Sequence, residues 1–575
     1  MKALPSPEHP TSRVHFLIST ILPSALSVSS VRCGFGSEHS YLTIIHMMKN
    51  TLFICFALAT TGLAADPQPS AASPRLGMNL SGFCDWSTEL FFVDIFKTSR
   101  PWISQEAGKP WGGGPALELD EHGWVKRLNS DGGCYAEMPF NTNLSGHCPL
   151  GIYTVLYEGT GKLEFRQAKV VSDEPGKIQI EVGGDGSFFL CLRETDPADP
   201  VRNIRIIMPG FEETYAKEPF HPVFLNRWKG MGAIRFMNWM GTNGSTQGKW
   251  ADRPRLEDAV YSRGAPLELM IDLCNRLKID PWFCMPHLAD DDYVRNFAQM
   301  VKDKLDPSLK PHIEYSNEMW NSMFAQTQWI QKKAKEEGIG VAERPWEGGA
   351  KLYVQRCLEI FKIWGEVFGG KDRLVRIIAW QACADAFWTD GMVLAQTKGA
   401  EDVDALAIAP YMTFCVPPDK GTSEAPSADE VATWSVDQVM DHMETKALPD
   451  SIQWIQRQKE FADKYGLRLI AYEGGQHMVG VAGGENNVEM TKLFLAANAS
   501  PRMGALYKKY FDAWADAGGG LFCVWDSIEI WSKWGCWGVA EFYDTKPADS
   551  PKYQSTLDWA KSHGQKVTMD PWQPK

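Results

Sequence analysis

The chain has 575 residues, 44% of them apolar, and its 58 Lys and Arg against 71 Asp and Glu give a formal charge of −13. Length and apolar content suit a large globular core rather than a fibrous or disordered chain. The acidity, with no basic run long enough to track a phosphate backbone, excludes nucleic acid as a partner.

At the amino terminus, residues 1–47 have no evident role and read as a start assigned too far upstream, a long leader being the alternative. Met48-Lys49-Asn50, an apolar run over 51–61 and the small residues Gly62-Leu63-Ala64-Ala65 form a signal peptide over 48–65, which implies a secreted or periplasmic protein. Residues 66–74 are a Pro/Ser/Ala linker. The apolar run is too short to span a bilayer, and no later stretch reaches the roughly 20 apolar residues of a membrane helix. Export permits disulfides. Of the 13 Cys, Cys33 and Cys55 precede the cleavage point, so an odd number remains and at least one must stay unpaired or join another chain. Cys134 with Cys148, and Cys523 with Cys536, are near enough in sequence to close loops. No Cys-x-x-Cys pair or His-x-x-x-His spacing supports a metal site.

Past the linker, 76–80 reads as a buried strand. Over 112–212 the pattern changes to alternating segments, such as 152–157, 177–182 and 203–208, separated by Gly, Asp and Pro turns, which marks an all-β module of sandwich type. Beyond it the rhythm becomes strand, loop, helix. Strands are expected at 232–237, 281–285, 312–315, 375–380, 405–408, 468–472 and 521–525, with helices at 266–277, 291–304, 351–368 and 453–465 among them. Eight strands alternating with helices predict an α/β fold, a (β/α)8 TIM barrel built from 75–111 and 213–545, with the β module inserted after the first barrel strand and 546–575 left as a C-terminal tail.

The chemistry of such a barrel sits at the C-terminal ends of its strands. Strand 312–315 runs into Asn317-Glu318, and strand 468–472 delivers Glu473 into Gly474-Gly475. Two carboxyl groups, each at a strand end, are what a retaining glycoside hydrolase needs: one attacks the sugar and the other shuttles the proton. Either glutamate alone would read as a solvated or ion-paired surface group. The 23 Trp point the same way, because indole faces suit the C–H faces of sugar rings, although many of them serve as core filler.

In these motifs the chain resembles the clan of (β/α)8 retaining glycoside hydrolases that contains many cellulases, mannanases and β-galactosidases. In that clan the acid/base Glu follows an Asn at the end of strand four and the nucleophile Glu ends strand seven; Asn317-Glu318 and Glu473 fall there. Arg235 after strand two, His287 after strand three, Tyr411 after strand six and Trp525 after strand eight also match positions where the clan places sugar-site or nucleophile-supporting residues. Met319 stands where many members have Pro, and Ala409 where many have His two residues before the strand-six Tyr, which leaves the specific family open.

The resemblance implies double displacement on a β-linked poly- or oligosaccharide, with Glu318 as acid/base and Glu473 as nucleophile. No metal or organic cofactor is implied. Glu318 must be protonated at rest, a shift the charge of Glu473 would supply. Arg235 and Tyr411 would hold Glu473, Asn317 would meet the sugar 2-hydroxyl, Trp525 would lie beneath the ring, and the two carboxyl groups would stand roughly 5–5.5 Å apart. Asn238, Trp320, Trp380 and Gln381 read equally as subsite or rim residues. His287 could instead be a hydrogen-bonded loop residue. Asp290-Asp291-Asp292 reads as a helix N-terminal charge cluster, not a calcium site. A carbohydrate-binding protein on the same barrel and a transglycosylase using the same residues are the alternatives. The β insert reads as a wall of the cleft, with a carbohydrate-binding module as the other possibility.

Overall fold

A computed structural model describes residues 73–572 apart from 130, 342–343 and 421–424. The upstream extension, the signal peptide and most of the linker therefore lie outside the described residues. Eight parallel strands close into a barrel in chain order: β1 (Arg75–Asn79), β2 (Ala233–Arg235), β3 (Asp280–Met285), β4 (His312–Tyr315), β5 (Val375–Ala379), β6 (Ala405–Ile408), β7 (Arg468–Ala471) and β8 (Leu521–Val524). β1 pairs with β2 through Asn79 and Arg235 and with β8 through Arg75 and Leu521, which closes the ring. The fold is the (β/α)8 barrel expected from the strand rhythm. Its strands are almost wholly buried, as parallel strands covered by helices must be, and so read as short apolar runs.

The helices follow local rules. Asp291–Lys304 is capped by Asp290, whose carboxylate accepts the Tyr293 N–H, with Asp291 and Asp292 in the first turn and Lys302 and Lys304 in the last. That arrangement opposes the helix dipole favourably at both ends and accounts for the acidic triplet. Among the described residues no group of His, Cys, Asp or Glu could hold a metal ion, and no helix is long and apolar enough to cross a membrane.

The β insert consists of two four-stranded antiparallel sheets around a second core that includes Met138, Phe140, Val155, Ile180, Leu190 and Ile206. Lys177–Val182 shows why the pattern was legible: Ile178, Ile180 and Val182 are buried while Lys177 and Glu181 are exposed. One sheet also recruits Ile103–Gln105, ahead of Gly112, because a three-residue strand carries too little alternation to be seen in sequence.

Three sequence expectations change. The stretch taken as a C-terminal tail contains the helix Pro551–Ser562, whose Tyr553, Leu557, Trp559 and Ala560 join the barrel core. Gln565 then reaches the N-terminal floor, where its amide donates to Leu76 O and accepts from Leu76 N. A helix after β8 is required to cover the seam between β8 and β1. Neither candidate disulfide forms: Cys148, Cys523 and Cys536 are free buried thiols. Cys148 faces Asn141 and Tyr153, and Cys523 lies within β8. Between β5 and β6 there is no long helix, only short turns from Phe387–Val393 to Gly399–Glu401.

Beyond β6 and β7 the chain continues as two further strands, Met412–Val416 and Gln476–Gly480, which pair in parallel above the barrel. This extension holds the C-terminal mouth on the side of Tyr411 and Glu473.

Candidate active site

Arg235, the last residue of β2, is fully buried at the mouth and organises the polar groups there. Its guanidinium meets Glu314 through two hydrogen bonds, Nε to Oε2 at 2.9 Å and Nη2 to Oε1 at 3.0 Å. Nη1 donates to Glu473 Oε1 at 2.7 Å and to Asn79 Oδ1 at 3.2 Å, and Nη2 donates to Asn317 Oδ1 at 2.8 Å. The planar fork of an arginine can serve this many acceptors at once. The Tyr411 hydroxyl donates to the other oxygen of Glu473 at 3.0 Å. The chain beyond Glu473 passes so close to β8 that a side chain at Gly474 would strike the Phe522 ring at 2.3 Å, so glycine is required there.

Glu318 is held differently. Its Oε1 accepts the Tyr472 hydroxyl at 3.2 Å and its Oε2 accepts Asn321 Nδ2 at 3.0 Å, and among the described residues no cation touches it. Its backbone lies in the left-handed region with φ 44°, as does Ser316 with φ 60°, a conformation that costs energy in a non-glycine residue. The start of helix Ala325–Glu336 keeps the turn in place: Gln326 donates to Asn317 O at 2.9 Å and Thr327 donates to Glu318 O at 3.1 Å.

These surroundings separate the two acids. Burial raises Glu318 from the ordinary carboxylate range to about 8, and the charge of Glu473 adds to that rise. Burial, not the neighbouring carboxylate, is thus the larger cause, the reverse of the sequence expectation. Burial also raises Glu473, and Arg235 and the Tyr411 hydroxyl oppose that rise without cancelling it. A carboxyl pushed strongly toward its protonated form therefore faces one whose carboxylate form a guanidinium favours.

Of the residues singled out from sequence, Arg235, Asn317, Tyr411, Glu318 and Glu473 converge in this network. Asn317 also donates Nδ2 to Asn243 Oδ1 at 3.1 Å, so one amide hydrogen remains for another acceptor. His287 is buried at the end of β3 but bonds to neither glutamate: its carbonyl accepts the Tyr315 hydroxyl and its ring lies edge-on to Trp329. Its Nδ1 has no partner among the described residues, and burial lowers its pKa to about 4, leaving a neutral ring. Asn238 donates to Leu80 O and so ties down the loop after β1. Trp380 packs against Tyr353 and Trp388, with Gln381 half-buried beside it. Trp320 and Trp525 are half-buried on the turns after β4 and β8, and Trp320 Nε1 is a buried donor without a partner among the described residues.

Glu314, Asn79, Tyr472 and His477 were not anticipated. Glu314 sits inside β4, where Trp282 Nε1 also donates to it at 2.8 Å. A glutamate within an apolar strand is itself a signal, since an unpaired buried carboxylate is too costly to keep. His477 stands on the strand extension between the Tyr411 and Trp537 rings, with centroids at 5.5 and 4.9 Å.

No family model and no curated protein matches the chain. Solved structures with a similar fold include the GH51 arabinofuranosidase from Xanthomonas axonopodis pv. citri, at 13% identity over 58% of this chain and 64% of that one, with a TM-score of 0.36. The exo-beta-1,4-mannosidase Op5Man5 from Opitutaceae bacterium strain TAV5 is 12% identical over 60% of this chain and 56% of that one, with a TM-score of 0.34. The GH5-4 broad specificity endoglucanase from Clostridium acetobutylicum is 12% identical over 61% of this chain and 93% of that one, with a TM-score of 0.33. The chain thus spans less than two thirds of the first two. At such identities and TM-scores the likeness carries no argument about function, and the chemistry of this mouth is read from its own geometry.

Proposed function

We propose that the protein is an exported retaining glycoside hydrolase acting on a β-linked poly- or oligosaccharide. The observation that carries the reading is the asymmetry of its two mouth carboxyls: Glu473 is gripped by Arg235 and Tyr411, while burial holds the Glu318 proton up to about pH 8. Glu473 attacks the anomeric carbon as the bond to the leaving oxygen breaks, and Glu318 gives that oxygen its proton. Glu318, now a carboxylate, takes a proton from a water that attacks the same carbon. This releases Glu473 and restores the starting protonation. Two inversions leave the anomeric configuration unchanged.

In this reading Arg235 and Tyr411 orient the nucleophile and favour its carboxylate form. Asn317, aligned by Arg235 and Asn243, presents its remaining amide hydrogen to the sugar, and Trp525 offers a ring face on the turn after β8. The unpartnered His287 Nδ1 and Trp320 Nε1 are two further groups able to meet sugar hydroxyls, since buried polar atoms rarely stay without a partner.

The test is hydrolysis of a panel of aryl β-glycosides and β-linked polysaccharides, with the configuration of the first-formed product followed by NMR. Retention is expected; an inverted product would overturn the mechanism. Glu473→Ala is expected to lower turnover by on the order of 10⁴-fold or more, with azide restoring activity and giving the inverted glycosyl azide. A variant as active as the parent would remove Glu473 from the reaction.

A further inference from the structure

Among the exposed tryptophans, two that lie outside the catalytic network share one support: Trp86 is 43% exposed and Trp111 is 49% exposed. Trp86 lies in the connection leaving β1 and Trp111 in a turn of the β insert. Both indoles pack on one guanidinium, that of Arg100, whose Cζ is 4.9 Å from the Trp86 ring and 5.7 Å from the Trp111 ring. Arg100 is itself locked by Asp85, with Nε to Oδ1 at 2.5 Å and Nη2 to Oδ2 at 2.8 Å. Asp85 also accepts the Thr142 hydroxyl at 2.9 Å, and its side chain is completely buried.

The supports under the two rings are rigid. The turn carrying Trp111 is held by Gly112 N–H to Gln105 Oε1, Gly113 N–H to Pro110 O and Gly114 N–H to Ser104 O. The connection carrying Trp86 is sewn to the turn after β8: Ser81 N–H donates to Ser527 Oγ, Ser527 N–H to Asn79 O, and Tyr543 N–H to Thr88 O. That places it on the β1–β8 side of the mouth, the side of Trp525. The backbone from Asn79 to Trp86 spans at most roughly 25 Å, within reach of an oligosaccharide seated on the catalytic pair. Because Arg100 covers part of each ring, the exposure falls on the remaining faces and edges. The Arg100 charge is already matched by Asp85, so the cluster presents apolar ring surface rather than an anion site.

We propose that Trp86 and Trp111 form a sugar-binding platform, built jointly by the β1 connection and the insert, that stacks a neutral sugar ring of the substrate chain away from the catalytic pair. The proposal rests on the glycosidase reading for its ligand class and deepens it: the substrate is a neutral polysaccharide or long oligosaccharide, and the insert extends the cleft.

The test uses the full chain carrying Glu473→Gln, run by affinity electrophoresis through gels containing hydroxyethyl cellulose, galactomannan, arabinoxylan, arabinan or polygalacturonate. At least one neutral polysaccharide is expected to retard the protein. Adding Trp86→Ala with Trp111→Ala is expected to weaken that retardation at least tenfold, each single change less, while Trp86→Phe with Trp111→Phe keeps most of it. Retardation by polygalacturonate alone, by no polysaccharide, or equally with and without both tryptophans would overturn the proposal. Glycoside turnover of the unmodified protein is read separately. Tryptophan-dependent retardation without turnover upholds the platform and sinks the hydrolase reading, whereas turnover with tryptophan-independent retardation does the opposite.

Discussion

The two ends of the barrel use the same residue types in opposite ways. On the N-terminal floor three arginines meet two aspartates, partly in water: Arg75 meets Asp280 at 3.2 Å with the arginine 42% exposed, and Arg376 meets Asp404 at 2.9 Å beside Arg468. At the mouth a single guanidinium serves Glu314 and Glu473, all three side chains being almost entirely buried, and Glu318 lies beside them with no cation touching it among the described residues. Three buried carboxyls against one cation is an electrostatic deficit that a proton on Glu318 partly relieves. The half-exposed Arg75–Asp280 pair could be exchanged for other polar residues at little cost. The mouth holds an arrangement that opposes stability, as expected where a fold carries chemistry.

The contrast breaks most severely at Arg235. Arg235→Met should leave Glu314 and Glu473 buried without their cation and destabilise the protein by about 3–5 kcal/mol, measured by urea unfolding, with glycoside turnover falling as well. A loss below about 1 kcal/mol would mean that the mouth resembles the floor.

Glu318 sharpens the comparison through pH. Its folded value of about 8 lies above the 4.5 of the free group, so between those values the folded state binds more protons than the unfolded state and stability falls as pH rises. Activity that needs the Glu318 proton should be lost as pH rises through about 8. Glu318→Gln should remove both trends: the protein becomes about 1–2 kcal/mol more stable at pH 8 than the parent, and the alkaline limb of kcat/KM disappears from the residual activity on activated aryl glycosides. An alkaline limb unchanged in the variant would assign it to another group.

The smallest effect is expected on the floor. Arg75→Ala breaks an exposed pair and should cost about 1 kcal/mol or less, with kcat/KM on any substrate within twofold of the parent. A marked kinetic change there would show that the two ends are coupled.

Much of this asymmetry was readable in advance, for a definite reason. Apolar runs bounded by turns mark barrel strands locally, so all eight strands, and with them the positions of Glu318 and Glu473, follow from the order of residues along the chain. The same register placed Arg235, Asn317 and Tyr411 at strand ends. Glu314 escaped because its strand was read for its apolar content, although a lone acid in such a strand was the available clue. The C-terminal helix escaped because its apolar residues Tyr553, Leu557, Trp559 and Ala560 follow a long irregular stretch after β8 that hides the barrel rhythm.

Sequence by itself determined the barrel, the presence of an all-β insert and the pair of glutamates at strand ends, because strand and turn patterns are properties of neighbouring residues. Only the tertiary structure decided that Arg235 is shared by Glu314 and Glu473, that burial more than a facing charge raises Glu318, and that Trp86 and Trp111 meet on Arg100. Partners far apart in the chain are chosen by how eight strand ends and their loops converge, and burial is a sum over everything that surrounds a group.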